Sequence, residues 1–115
     1  MPERERDKSI VEHMLSYCVD IEETIRRFGD SYEAFSGDKA YRNACAMCIL
    51  QIGELAGHLS ADFRAAHAEM PWREIRGMRN VVAHAYADIS FKTTWDTMRT
   101  DIPALKNFCA EILSK

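Results

Sequence analysis

Residues 11–28 of the chain read Val11-Glu-His-Met-Leu-Ser-Tyr-Cys-Val-Asp-Ile-Glu-Glu-Thr-Ile-Arg-Arg-Phe28, and their pattern indicates the class of fold. Apolar residues recur at steps of three and four, and polar or charged residues fill most positions between them. This spacing predicts a long amphipathic helix, and Gly29 is a typical residue for its end. The apolar stripe consists of Val11, Met14, Cys18, Ile21, Ile25 and Phe28.

Three further segments are also expected to be helical. A second apolar stripe runs through residues 41–59, and Asp38 is suited to cap its first turn. A third helix is predicted for residues 71–86, with Pro71 at its first position. A fourth stripe spans residues 91–112.

Glycine and proline mark special positions within these segments. Gly53 and Gly57 interrupt the second stripe, which indicates the close approach of a neighbouring helix. Pro103 lies inside the fourth stripe and predicts a kink near residues 100–102. Ser31 and Ser60 each precede a segment that is predicted to form a short helical turn.

The chain shows no alternating strand pattern. Four stripes joined by short connections predict an all-α fold, an antiparallel four-helix bundle with short additional helical turns. A chain of 115 residues, 47% hydrophobic and 29% charged, has room for one core and therefore for a single domain, residues 1–115.

The charge balance limits the classes of partner. The formal net charge of −3, from 15 basic and 18 acidic residues, argues against a surface that is basic throughout, so any contact with nucleic acid must be local. The first eight residues are mostly charged and no long apolar run follows. We therefore expect a cytoplasmic protein without a membrane segment.

The four cysteines are expected to lie in the core. Cys45 and Cys48 have a spacing that could supply two zinc ligands, but a structural site needs four, and Cys18 and Cys109 are distant. Each of the four falls on the apolar face of its helix, where free cysteine behaves as a small hydrophobic residue. Three of the four histidines, His13, His58 and His67, have a spacing that forms no metal triad. We therefore expect neither a metal nor a cofactor.

The third predicted helix collects polar groups on one side. At about 100° per residue, these groups occupy an arc of about 140°, from which Glu74 is excluded. Ile75, Met78 and Val82 form a separate apolar stripe that can pack on the bundle. The polar arc therefore predicts a cationic surface without an acid, composed of Arg73, Arg76, Arg79, Asn80 and His84.

This combination of side chains suits phosphodiester chemistry. Cleaving RNA without a metal requires a base of near-neutral pKa for the 2′-hydroxyl proton and cationic donors for the charge on the phosphate oxygens. An imidazole such as His84 meets the first need and a guanidinium such as Arg79 meets the second. A solvated, purely structural surface is the simpler interpretation of the same pattern.

The segment also resembles a known family. Arg79-Asn80, three residues, His84, one residue and Tyr86 are similar to the Arg-x4-His-x-Tyr signature of HEPN-domain toxins of the HepT type. Further similarity extends the resemblance over nearly the whole chain; it lies in Ile52-Gly53-Glu54, Pro71-Trp72 and the pattern from Trp95 to Asp101-Ile102-Pro103-Ala104-Leu105.

The resemblance implies an all-α homodimer that acts as a metal-independent ribonuclease. By position, it assigns catalysis to Arg79, Asn80 and His84, while Arg73 and Arg76 remain candidates for binding substrate phosphates. It also implies a cognate minimal nucleotidyltransferase (MNT) as antitoxin, which neutralises the toxin by transferring AMP to Tyr86. The combination corresponds to a type VII toxin–antitoxin system.

Two other functions remain open at this point. The bundle could be a non-catalytic accessory subunit of a nucleotidyltransferase that holds a nucleotide or another anion on its arginines. It could also be a structural dimerisation bundle. His84 favours the enzyme, because phosphate binding needs only arginine whereas a base is required when a proton moves. Neither the RNA that is cleaved nor the role of Glu54 follows from the sequence.

Overall fold

A computed structural model describes residues 2–80 and 91–115, in which all regular structure is helical. The all-α prediction is therefore confirmed. The elements are α1 (Glu3–Phe28), α2 (Tyr32–Ser36), α3 (Lys39–His58), α4 (Ala61–Ala66), α5 (Trp72–Arg76), α6 (Phe91–Asp96), a π-helical segment (Thr97–Asp101) and α7 (Ile102–Leu113). None of the described helices combines the length and the apolar composition that a membrane span requires.

Hydrogen bonds at both ends show that α1 and α3 are antiparallel. At the start of α1, the carboxylate of Asp7 accepts from the backbone N–H of Ser60 at 2.8 Å and from its hydroxyl at 2.6 Å. At the other end, the Tyr41 hydroxyl donates to the carbonyl of Gly29 at 3.0 Å. The start of each helix therefore lies beside the end of the other.

The C-terminal helix also runs antiparallel to α1. Lys106 pairs with Glu22 at 2.6 Å, and Arg99 pairs with Asp30 at 2.9 Å. Along α1 and the residues after it, the partners on the C-terminal segment thus have decreasing residue numbers, from Lys106 to Arg99. The antiparallel arrangement expected for a bundle is present between these helices.

The predicted end of the first long helix and the predicted cap of the second are correct, whereas α1 begins at Glu3 and not at Val11. Gly29 ends α1 with φ of +121°, a conformation that residues with a Cβ rarely adopt. Asp38 caps α3, because its Oδ1 accepts from the backbone N–H groups of Ala40 at 2.9 Å and Tyr41 at 3.3 Å. Ser31 and Ser60 likewise cap the short helices α2 and α4.

The prediction of one continuous helix from Pro71 is wrong. Pro71 is the N-cap of α5, which ends at Arg76, and Gly77 forms a turn before residues 78–80 are helical again. The Asn80 N–H bonds to the Gly77 carbonyl at 2.9 Å, three residues back instead of four. Glycine has low helix propensity, and the break lies where this segment contacts α3.

The kink expected before Pro103 takes the form of the π-helical segment. The backbone N–H of Ile102 donates to the carbonyl of Thr97, five residues earlier. Pro103 has no N–H for the helix and its ring crowds the preceding turn, which accounts for an irregularity at this position. The helix then continues regularly as α7.

The core contains most of the predicted apolar stripe residues. Ile75 and Met78 are buried as expected, while Val82 lies outside the described residues. Phe35, Tyr41 and Trp95 form a ring cluster with centroids 5.1 to 6.4 Å apart at the end where α3 begins. Side chains from both halves of the sequence therefore pack in one cluster.

All four cysteines are buried and free, as predicted. Burial raises the pKa of the thiols of Cys18, Cys45 and Cys109 to about 12 and that of Cys48 to about 11. A raised thiol pKa means that the reactive thiolate is scarce at neutral and mildly alkaline pH.

We therefore expect the folded protein to resist alkylation. At pH 8, iodoacetamide should modify the native chain at least about a hundredfold more slowly than the chain in urea, because both burial and the raised pKa suppress reaction. Intact mass spectrometry over time measures the rate, with four additions expected after unfolding. A cysteine that reacts in the native chain as quickly as a free thiol would contradict this arrangement.

Candidate functional site

A cleft of about 800 Å³ opens between the end of α3, the helices α4 and α5, and residues 79–80. Among residues 2–80 and 91–115, four arginines and one carboxylate contribute to its wall. In a chain whose acids outnumber its bases, this makes the cleft a local cationic region. Its lining residues include Gly53, Glu54, Arg64, Arg73, Arg76 and Arg79.

Gly53 allows the backbone of the arginine segment to lie directly against α3. A Cβ at this position would come within 2.9 Å of the Arg79 backbone nitrogen and 3.3 Å of the Arg76 carbonyl oxygen. No side chain fits between these elements. The expectation that a glycine of α3 marks a close helix partner is therefore correct for Gly53.

Gly57 has a different environment. A Cβ there would lie 3.7 Å from Nε of Arg76, which is an ordinary van der Waals distance. The missing side chain leaves the wall of the cleft open beside this guanidinium. The close approach predicted from both glycines thus applies to only one of them.

Glu54 changes the electrostatic picture that the sequence predicted. Its Oε1 lies 3.1 Å from Nε of Arg79, so the cationic surface does contain an acid, supplied by α3. The arc calculated from the third helix could not include a residue of another helix. The Arg79 and Glu54 side chains are 57% and 41% exposed, and an ion pair this exposed contributes at most about 1 kcal/mol.

The structure brings the four described site candidates together. Arg73, Arg76, Arg79 and Asn80 all line the cleft and are all exposed. Arg73 and Arg76 have no carboxylate partner among the described residues. Glu74 does not line the cleft, in agreement with its predicted exclusion. These four residues line one cleft in spite of the break at Gly77, because both parts of the segment border it.

Two candidates lie outside the described residues, namely His84 and Tyr86. Their assignment as base and modification site rests on the sequence motif alone. The described residues themselves contain no cluster of three metal-ligating side chains. The guanidinium and amide groups in the described part of the cleft are suited to binding an anion.

Two residues that the sequence analysis did not propose for the site also line the cleft. Arg64 extends from α4, and His58 is the last residue of α3. Helical periodicity could not connect either residue with the arginine segment, because each belongs to a different element. The contact between the rings of Phe63 in α4 and Trp72 in α5 places Arg64 near the arginine segment, and His58 reaches the cleft from the end of α3.

Comparison with known proteins identifies related sequences along most of the chain. The model of a family described as Ribonuclease HepT-like matches residues 14–112. A candidate RNase of Caldanaerobacter subterraneus is 34% identical over 91% of this chain and 92% of its own length. A probable ribonuclease HepT of Thermococcus cleftensis is 35% identical over 78% of this chain and 86% of its own.

A candidate RNase of Methanocaldococcus jannaschii is 31% identical over 98% of this chain and 95% of its own length. No solved structure shows significant similarity to the chain. The similarity to these relatives is thus spread over the whole bundle and is not confined to the arginine segment.

Alanine substitutions at the two glycines of α3 should have opposite effects on the stability of the fold. Gly53→Ala should lower the free energy of unfolding by about 1 to 3 kcal/mol, because the new Cβ meets backbone that has to move. Gly57→Ala is the matched control and should be neutral or stabilising by up to about 1 kcal/mol. Urea denaturation of both variants measures the difference; equal stabilities would show that the contact at Gly53 is unimportant.

Proposed function

The chain belongs to the HepT-like family of ribonucleases, and from this membership we propose that it is a toxin that cleaves RNA without a metal ion. In this proposal it is the toxin of a type VII toxin–antitoxin system. The observation that supports the proposal most directly is the cleft, in which Arg73, Arg76, Arg79 and Asn80 border one cavity. A polyanionic strand is the ligand that such a cavity suits.

The proposed reaction begins at the 2′-hydroxyl of the RNA. His84 takes its proton, and the 2′-oxygen attacks the neighbouring phosphorus. The bond from phosphorus to the 5′-oxygen breaks, the leaving oxygen takes up a proton, and a 2′,3′-cyclic phosphate remains. Arg79 stabilises the charge that develops on the non-bridging oxygens, and Asn80 donates a further hydrogen bond from its amide.

Glu54 acts in this proposal as a replaceable counterion. Its closest contact with Arg79 is through Nε, so the two terminal nitrogens of the guanidinium can still bind a phosphate. The pair orients the side chain before the substrate arrives. Because both partners are exposed, an incoming phosphate can replace the carboxylate at little cost.

We further propose that the active protein is a homodimer. A twofold axis near the arginine segments would place two copies of Arg79 and His84 in one shared cleft. Such a cleft has twice the cationic character of the single chain, which favours binding of a strand over binding of a small anion.

Control of the toxin is proposed to act on Tyr86. A cognate MNT-type nucleotidyltransferase transfers AMP to its hydroxyl, which brings a phosphate close to the arginines that otherwise bind RNA. The modification then occupies the binding groups and blocks entry to the cleft. This step needs no change of fold.

Substitution of the proposed base should remove activity without affecting the structure. His84→Ala should lower the rate of RNA cleavage by a factor of about 10² to 10⁴, and Arg79→Ala should lower it to a similar extent. His13→Ala is the matched control, because His13 is exposed on α1 and does not line the cleft. Gel assays with a labelled RNA and circular dichroism measure activity and folding.

The same assay tests the absence of a metal. Cleavage should continue in EDTA, and the products should carry a 2′,3′-cyclic phosphate or its hydrolysis product. Loss of activity on chelation would disprove the metal-independent mechanism. RNA or nucleotide binding without any cleavage would instead support a non-catalytic, anion-binding subunit of a nucleotidyltransferase.

The proposed modification can be located by mass. Incubation with the cognate nucleotidyltransferase and ATP should raise the mass in steps of about 329 Da, map to Tyr86 and abolish RNA binding. Tyr86→Phe should escape both effects, whereas the control Tyr32→Phe should be modified as the wild type is. AMP found on Tyr17, Tyr32 or Tyr41 would refute this site while leaving the ribonuclease proposal intact.

A further inference from the structure

The wall of the cleft formed by α4 carries a cation for which the proposed reaction has no role. We infer that Arg64 of α4 is a separate binding site for a phosphodiester of the RNA strand, next to the one that is cleaved. This inference rests on the proposed function, since it takes RNA as the ligand. It adds a residue from outside the family motif to the substrate site.

The hydrogen bonding of Arg64 leaves one of its donors available to a ligand. Its Nη1 is buried and has no hydrogen-bond partner among the described residues, although Arg64 as a whole is only half-buried and lines the cleft. A buried donor of a charged group is costly when it lacks a partner. Once the guanidinium turns towards the cleft, a phosphate oxygen would satisfy this donor, and the planar group is suited to bind a phosphate with two parallel hydrogen bonds.

Two sets of contacts hold α4 in place, so Arg64 extends from a fixed element. At its start, the hydroxyl of Ser60 accepts from the Phe63 N–H at 3.1 Å and donates to Asp7 of α1. On its other side, the Phe63 ring packs against His67 and Trp72, with centroids 4.6 and 6.1 Å away.

Trp72 connects this cluster to α5. Its Nε1 donates to the carbonyl of His67 at 2.9 Å, and its ring packs against Phe108 with centroids 5.5 Å apart. Since Arg73 follows Trp72 directly, the same contacts fix the relative positions of the two cationic walls. A site held in this way loses little entropy when it binds a ligand.

The charges of the cleft favour a strand over a single small anion. Arg79 already has the carboxylate of Glu54 beside it, whereas Arg64, Arg73 and Arg76 have none among the described residues. A cavity of about 800 Å³ is also larger than one phosphate needs. In this inference, successive phosphates of an RNA strand contact Arg79 and Arg64, which belong to different elements of the wall.

The test uses RNA that the protein cannot cleave. A fluorescent 2′-O-methyl oligoribonucleotide lacks the attacking hydroxyl, so its affinity reports binding alone. Arg64→Gln should weaken binding about tenfold or more, as expected for a lost charge-assisted hydrogen bond. The slope of log Kd against log salt should fall by about 0.7 in magnitude, the value for one phosphate contact on a single strand.

Two further measurements separate this role from a structural one. Arg27→Gln is the matched control, because Arg27 is exposed on α1 and does not line the cleft; its binding should equal that of the wild type. The Tm of Arg64→Gln without RNA should be unchanged or higher, since an unsatisfied buried donor has been removed. Arg64→Lys, which keeps the charge but loses the planar fork, should bind with intermediate affinity.

Substrate length gives the sharpest readout. With a cleavable dinucleotide, which has only the scissile phosphate, KM should be the same for wild type and Arg64→Gln. With a longer oligoribonucleotide, the KM of Arg64→Gln should be higher than that of the wild type.

The outcomes distinguish this inference from the proposed function. Wild-type cleavage together with unchanged RNA affinity in Arg64→Gln would overturn the Arg64 site and leave the ribonuclease standing. If the wild type binds RNA through Arg64 but does not cleave it, the Arg64 site would stand and the ribonuclease proposal would fail. A variant that is equally impaired on both substrate lengths, or that loses thermal stability, would show that Arg64 is structural. Failure of the wild type to bind the RNA would overturn the inference.

Discussion

The contact between the backbone of residues 76–79 and Gly53 of α3 determines the geometry of the site. A Cβ at position 53 would lie 2.9 Å from the Arg79 nitrogen, so no other residue fits there unless the backbone moves. The same contact lies beside the turn at Gly77, so the arginine segment is interrupted where it meets α3. The positions of Arg76 and Arg79 are therefore set by main-chain packing, which is stiffer than packing between flexible side chains.

The residue that follows Gly53 controls the charge of the cleft. Because Glu54 is next to the contact point, its carboxylate is delivered to Arg79 by the same packing that positions the backbone. In the part of the cleft that the structure describes, one carboxylate among four arginines leaves the surface cationic, while the chain as a whole is acidic. The net negative charge thus repels polyanions at long range, while the cleft attracts them locally.

Features that depend on local sequence could be predicted, and those that depend on contacts between elements could not. Gly29 and Asp38 end and begin helices through their own conformation and hydrogen bonding, so their roles follow from residue type. The break at Gly77 depends on the neighbouring α3, and helical periodicity treats the segment as if it were alone. For the same reason the calculated arc grouped Arg73, Arg76, Arg79 and Asn80 correctly but omitted Glu54 and Arg64, which belong to other helices.

The π-helical segment at Thr97–Asp101 has a consequence for chain length in this family. Because its hydrogen bond spans five residues instead of four, the segment holds one residue more than an α-helix would at the same place. A relative that lacks one residue here can form an uninterrupted α-helix and still present Trp95 and Leu105 to the core. Single-residue gaps in this stretch are therefore compatible with an unchanged bundle, whereas a gap near Gly53 would rotate Glu54 away from the cleft.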